Sequence, residues 1–465
     1  MEWSRLHAVW RRVLSLGWPV MAEQTFRTAM RTTDVLVTAT FSPAAVVAIG
    51  LADLYARFPL RVGLGLGGGA IALSSQDTGA DAAATRDEAI TQALLLGVVA
   101  GVPFTAAGWL FGEEFVALLG AGERAVALGG TYLAIIYATA PARHVALVGA
   151  RSLQGTGDTR TPMYINVASN ALNVAGSVVF GLGLLGMPEL GVRGVGYATA
   201  FGNAFTAAAL VAALLTDRTE ASFVRPRDAT VARQLVRVSL PRIGEGLAAT
   251  LAEFPFNAIL LGFGTAVNAG FQIGRRLYQQ VTAPLSRGYN VAASVVVGQR
   301  LGEGDAEAAR FEGWAIVGLG LATVGVIGLV LAVAADPLVR LFTDDAATVG
   351  QATAFARVYG VTGTALVAFT VLSGSLQGAS ETRIPFAGRV SGVFVFMLGG
   401  AYVVGDLLGY GAVGGYVGVG ASYIWMALVV AYGFARSDWA GRAAGMMAER
   451  GTAESEAEAD AEADD

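Results

Sequence analysis

The chain has 465 residues, of which 54% are hydrophobic and 14% charged, against about 25% charged in a soluble globular chain. A mean hydropathy of +0.56 and the complete absence of cysteine exclude an ordinary soluble enzyme, a disulfide-stapled module and a thiolate metal site. The net charge of −5 is concentrated at the C-terminus: residues 449–465 hold eight acids against Arg450, so the remainder is slightly basic, and every one of the 31 basic residues is arginine.

In chain order, residues 1–12 place Trp3, Leu6, Val9 and Trp10 beside Arg5, Arg11 and Arg12, a pattern that predicts an amphipathic helix lying at a membrane surface rather than a cleavable signal. Twelve apolar runs follow, near 13–41, 43–75, 88–111, 125–150, 162–186, 190–215, 239–263, 266–298, 312–335, 347–376, 384–405 and 411–434. Runs one, two, seven and eight are the polar ones. The expected domains are a first six-helix bundle over 13–215, a charged, Pro-containing linker over 216–238, a second bundle over 239–434, and a solvated, disordered acidic tail over 435–465.

Arginine placement predicts the topology. With both termini in the cytoplasm of an inner-membrane protein, eighteen arginines fall in inside segments and three (Arg124, Arg193 and Arg340) in outside loops. The other ten lie within spans.

An internal repeat divides the chain. Leu153-Gln-Gly-Thr-Gly-Asp-Thr-Arg-Thr-Pro162 returns as Leu376-Gln-Gly-Ala-Ser-Glu-Thr-Arg-Ile-Pro385, an offset of 223 that also pairs Leu54-Tyr55 with Leu277-Tyr278, Gly65 with Gly288 and Gln76 with Gln299. Six spans per repeat give both halves the same membrane orientation, related by an axis along the membrane normal. The predicted fold class is therefore all-α and polytopic, two six-helix bundles of about twelve spans in total.

Asp34 in the first span, the paired Gly-Asp-Thr-Arg and Ser-Glu-Thr-Arg loops, and Val297-Gly-Gln-Arg-Leu-Gly-Glu-Gly304 after span eight together resemble the multidrug and toxic compound extrusion (MATE) family over about residues 17–434. The resemblance implies a central cavity and Na⁺- or H⁺-coupled export of amphiphilic small molecules, with no cofactor beyond the coupling ion. It also implies roles for individual residues. Asp34 matches the family's first-helix aspartate. Asn173 matches the family Asn of the fifth span, Ser177 stands where the family places an Asp, and Thr199 matches a hydroxyl from the sixth span. An Asp34, Asn173, Ser177 and Thr199 set offers oxygen ligands of the kind a hard cation takes.

Other charged residues within spans are candidates by cost alone, since a charge at a helix centre costs about 2.5–3.5 kcal/mol on insertion scales. Arg31, Glu253, Asn257 and Arg276 are the expected substrate-cavity residues; Asn257 is the repeat counterpart of Asp34 and cannot titrate. Glu253 has a structural alternative, a pair with an arginine. The ten intramembrane arginines, Arg27, Arg31, Arg57, Arg61, Arg143, Arg242, Arg275, Arg276, Arg287 and Arg357, outnumber Glu23, Asp34, Asp53, Glu245 and Glu253. That excess predicts a cavity able to take anionic or zwitterionic compounds. Gly63-Leu-Gly-Leu-Gly-Gly-Gly69 has neither a preceding strand nor a following GK[ST], so it reads as close helix packing and not as a phosphate loop. Lone His144 reads as packed.

The resulting expectation is a monomeric antiporter in contact with lipid and a small-molecule substrate, without nucleic acid. Two rivals are a flippase of lipid-linked oligosaccharides, which usually needs more spans, and a membrane-embedded enzyme, which would need convergent His, Cys or paired acids that the spans largely lack.

Overall fold

The computed structural model describes residues 2–216 and 218–463, with side chains over 3–216 and 218–452. Fifteen helices follow one another: α1 (Glu2–Ala39), α2 (Pro43–Gly79), α3 (Ala83–Ala117), α4 (Glu123–Ala138), α5 (Ala140–Gly155), α6 (Arg160–Leu182), α7 (Val192–Leu214), α8 (Ala229–Gly262), α9 (Thr265–Gly302), α10 (Ala306–Val333), α11 (Ala335–Val339), α12 (Ala346–Gly378), α13 (Arg383–Leu407), α14 (Ala412–Arg436) and α15 (Trp439–Ala463). Eight are long and apolar enough to cross a membrane, and α4 with α5, bent by 49°, makes a ninth. The helices α1, α8 and α9 are as long but carry charged residues along their length, as three of the four polar runs predict. These twelve helical runs coincide with the twelve predicted spans, in an all-helical polytopic fold.

The chain forms two compact units: residues 22–243 with 448–465, called the first-half unit, and residues 1–21 with 244–447, called the second-half unit. The chain changes unit at Met21/Ala22 and again at Ile243/Gly244, positions separated by almost the repeat interval. The expected domain boundaries are corrected accordingly. Residues 2–12 are not a separate helix but the opening turns of α1. Part of their apolar stripe is covered by protein: Val9 and Val13 are buried with Ala315 and Val296, and Trp10 Nε1 donates to the Ala315 carbonyl at 2.9 Å, while Trp3 stays 75% exposed. The linker is also shorter than 216–238. Helix α8 starts at Ala229 because Val231, Leu235 and Val238 form a buried i, i+4, i+7 face in the first-half unit.

Glycines on α2 and α9 permit these crossings. On α2, an added Cβ at Gly63 or Gly67 would meet Leu147 or Arg151 of α5 at 2.8 Å, whereas one at Gly65 or Gly69 would meet the Ile243 backbone of α8 at 2.8 Å or Ser239. The glycine-rich run thus serves two helix contacts at i, i+4 spacing, as its packing reading predicts. At the repeat counterpart of Gly65, Gly288 lies equally close to Met21 of α1.

The repeated loop has a physical explanation as well. Gly155 and Gly378 occupy its third position, and each closes its helix onto the equivalent neighbour, the Ile71 carbonyl of α2 and the Ser294 carbonyl of α9. Gly157 and Ser380 follow in left-handed conformation, with φ of 99° and 58°. Asp158 Oδ1 then accepts from the backbone N–H of Arg160 and Thr161 at 3.1 and 2.9 Å, and Glu381 Oε1 from that of Arg383 at 3.1 Å. The motif is a helix stop, a turn and a capped helix start.

The expected disordered tail is corrected over its first part. Residues 439–463 are helical, and the acids from Glu454 onward lie outside the described side chains. Trp439 is fully buried against Phe434, which an indole supplies and an acidic tail pattern hides. Arg450 is 1% exposed in the first-half unit, bonded to Asp77 at 2.5 Å and to Gln234 at 2.6 Å.

Two outcomes test this packing. Gly378→Ala places a Cβ against the Ser294 backbone oxygen and should cost about 1–3 kcal/mol, whereas Gly350→Ala, with open space around it, should leave the melting temperature of the purified protein unchanged or raised. Arg450→Ala strands a buried Asp77 and should cost about 3–5 kcal/mol, most of it recovered when Asp77→Asn is added, as read by thermal unfolding in detergent.

Candidate functional site

The four residues that the family resemblance groups come together in the first-half unit. Asp34 sits five residues before the end of α1, half-buried. Four residues apart on α6, Asn173 and Ser177 share one face and are both buried, at 3% and 0% exposure. Thr199 projects from α7, which packs along α6 where Gly176, Gly194 and Gly202 let the backbones approach. Ser177 Oγ donates to Asp34 Oδ1 at 2.7 Å. With its amide nitrogen toward the carboxylate, Asn173 donates to the same Oδ1 at 3.3 Å, and its oxygen accepts from the Thr199 hydroxyl at 3.1 Å and backbone N–H at 3.2 Å.

Only neutral donors hold this carboxylate. Among the described residues no guanidinium reaches ion-pair distance of Asp34, although Arg31 lies one turn earlier on α1. Such a site can do two things chemically. It can take a proton on the carboxylate, or it can gather oxygens from Asp34, Asn173, Ser177 and Thr199 around a small hard cation. Either event alters the charge-assisted bonds that tie α1 to α6.

The remaining candidates divide by unit. Arg31 is exposed on α1 in the first-half unit, within the electrostatic reach of Arg27, Asp53 and Arg57. In the second-half unit, Glu253 pairs with Arg275 at 3.1 Å, which is the structural alternative weighed for it. Asn257 Oδ1 accepts from Asn268 Nδ2 at 2.8 Å and from Gln272 Nε2 at 2.7 Å, while its own amide donates to the Glu253 carbonyl at 2.6 Å. Where the first half has a titratable carboxylate with two neutral donors, the second half has an amide oxygen saturated by two. Arg276 is exposed on α9 next to Arg275. Glu245 lies 3.5 Å from Arg389.

Sequence reasoning missed Asn268 and Gln272. Their signal was available, as two amides four apart in a polar span, but nothing linked them to Asn257. The sequence suggested an in-helix pair of Asp53 with Arg57; it missed that Arg31 and Arg143 also act on Asp53 electrostatically. His144 is fully buried, its ring nitrogens facing the Gly97 and Pro59 carbonyls at 3.1 and 2.8 Å, a packed role as expected.

A duplicated, all-helical, multi-span protein whose buried polar groups converge on one carboxylate is, by class, a membrane transporter. The family follows from comparison. The MatE family model matches residues 19–179 and 241–403, one block in each repeat, and the chain belongs to this multidrug and toxic compound extrusion (MATE) family, a family of transporters and not of enzymes. It is 30% identical over 434 residues to a probable multidrug resistance protein NorM of Bradyrhizobium diazoefficiens, covering 90% of this chain and 91% of that one. A probable NorM of Rhodopseudomonas palustris is 28% identical, with 92% and 93% covered. Among solved structures, a MATE protein in a bent conformation superposes with a TM-score of 0.84 at 21% identity over 95% of this chain and 97% of that one.

If the site holds a cation, a second carboxylate at the family position should strengthen it. Ser177→Asp is expected to tighten Na⁺ binding at least tenfold, and Asn173→Ala to weaken it, both read by isotope binding to the purified protein.

Proposed function

We propose that this chain is a multidrug exporter of the inner membrane, driven by inward movement of Na⁺ or H⁺ through Asp34. The observation that carries the reading is the convergence of Asp34, Asn173, Ser177 and Thr199 from three helices on one half-buried carboxylate without a guanidinium partner. The names of its NorM relatives support export of several compounds. The arginine asymmetry supports cytoplasmic termini, and a monomer suffices because both repeats lie in one chain.

As an anion, Asp34 accepts charge-assisted bonds from Ser177 and Asn173 and draws α1 toward α6. An external cation or proton neutralises it and weakens those bonds. The Asn173 oxygen then holds Thr199, or turns to the cation, and the packing of α1 on α6 and α7 changes. Each state favours a different access, so cation binding shifts the population toward release of the substrate outside, and inward loss of the cation resets it. One charge moving through 100 mV supplies about 2.3 kcal/mol, with the concentration gradient in addition. The neutral Asn257 of the second half, saturated by amide donors, leaves Asp34 as the coupling group of the pair.

The test is dye extrusion from proteoliposomes under imposed Na⁺ or proton gradients. Asp34→Asn should abolish gradient-driven transport, at least a hundredfold, while leaving the protein folded. Wild-type rates that ignore both gradients, or an Asp34→Asn variant as fast as the wild type, would overturn the proposal.

A further inference from the structure

Two bent elements of the first-half unit border one groove. Helix α3 departs from helical geometry at Phe111 (φ −132°, ψ 17°), and the α4–α5 span bends by 49° at Thr139. Between α3, α4 and α7 lies a cavity of about 630 Å³, within the range of about 300–1,000 Å³ over which small-molecule pockets fall. Small residues leave this space: Gly130, Ala134 and Ala138 recur at every fourth position of α4 and share one face of it, and Ala200 comes from α7. Along α4 the groove runs from Gly130 to Thr139, about 14 Å at 1.5 Å per residue. It is open along one side, where Trp109 is 81% exposed and Leu110 is exposed beside it.

The groove changes chemistry along its length. Glu113 and Glu114 line one end and are the first charged residues after the apolar run 88–111, so they stand at headgroup level while the body of the groove lies at hydrocarbon depth. Both are exposed, and among the described residues neither carboxylate has an ion-pair or hydrogen-bond partner. An occupant that suits both parts carries a cationic head on an apolar body. Because the exposed wall is apolar at this depth, the open side faces lipid, and phospholipids have that build. Their headgroups are not equivalent here. Two carboxylates repel a phosphatidylglycerol, whose net charge is negative, and form no hydrogen bond with a choline, whose nitrogen has no N–H. An ethanolamine ammonium brings three N–H donors, enough to bond both carboxylates with charge assistance. We propose that this groove is a binding site for a phospholipid with a primary-amine headgroup, its ammonium on Glu113 and Glu114 and one acyl chain laid along Ala134 and Ala138 toward Thr139. Since both bends border the groove, the bound lipid stabilises the bent geometry of α3 and of α4–α5 over a straightened one. The inference is independent of the coupling role given to Asp34.

The test is native mass spectrometry of the full chain in detergent, titrated with dioleoyl phosphatidylethanolamine, phosphatidylcholine or phosphatidylglycerol. The expected result is one phosphatidylethanolamine retained about tenfold more tightly than either of the others. Glu113→Gln combined with Glu114→Gln should remove that preference, whereas Glu123→Gln, at an exposed carboxylate outside the groove, should leave it intact. Ala134→Trp fills the groove and should lower retention of phosphatidylethanolamine about tenfold, with Ala134→Leu as the smaller filling variant where the larger one does not fold. A melting temperature measured for each variant separates lost binding from lost folding. Equal retention of the three lipids by the wild type, or a preference that survives in the folded double glutamine variant, would overturn the proposal. Displacement of the lipid by equimolar tetraphenylphosphonium would overturn it too, by assigning the groove to a soluble organic cation.

Discussion

The structure depends on one carboxylate held by neutral hydrogen bonds. Asp34 is tied to α6 by Ser177 and Asn173, and through the Asn173 oxygen to Thr199 of α7. An arginine in salt-bridge contact would have fixed the charge permanently and left a strut. Hydroxyl and amide donors stabilise the anion while leaving room for a proton or a hard cation to replace part of that stabilisation. A single charge change can therefore reach three helices.

The duplication makes the contrast between the halves informative. The same backbone plan carries the same glycine contacts, the same left-handed turn and the same capped helix start in both repeats, because these positions are set by backbone sterics and allow little variation. The polar interior has diverged. Asp34 has become Asn257, and its environment in the second half is a closed set of amides beside the Glu253–Arg275 pair. The first half keeps the titratable group and most of the excess arginine. Architecture is conserved between the repeats, and charge is not.

Much of this was legible in the chain itself. The spans, their number and the duplication follow from hydropathy and from one repeated decapeptide, since a membrane demands long apolar helices and a tight turn demands particular residues. The family motif placed Asp34, Asn173, Ser177 and Thr199 in one group, and i, i+4 spacing put Asn173 and Ser177 on one face. Glu253 could not be decided, because both a cavity role and an arginine pair satisfy the same composition. What covers the stripe of residues 1–12 was left open for a related reason. An amphipathic stripe states that something apolar must cover it, and lipid and protein answer that demand equally well.

The sequence by itself determined the membrane-spanning, duplicated, all-helical character of this protein, and the residue types available for its site. Only the tertiary structure decided that the first turns of α1 and α8 pack in the unit of the opposite repeat, and that Arg450 is drawn out of an acidic tail to meet Asp77. It alone also closed the Asn257 amide oxygen with Asn268 and Gln272. The reason is that hydropathy and local motifs report on neighbours within a turn or two of helix. Partners for buried charge are chosen across helices far apart in the chain, where geometry and desolvation select one pairing among many that composition permits.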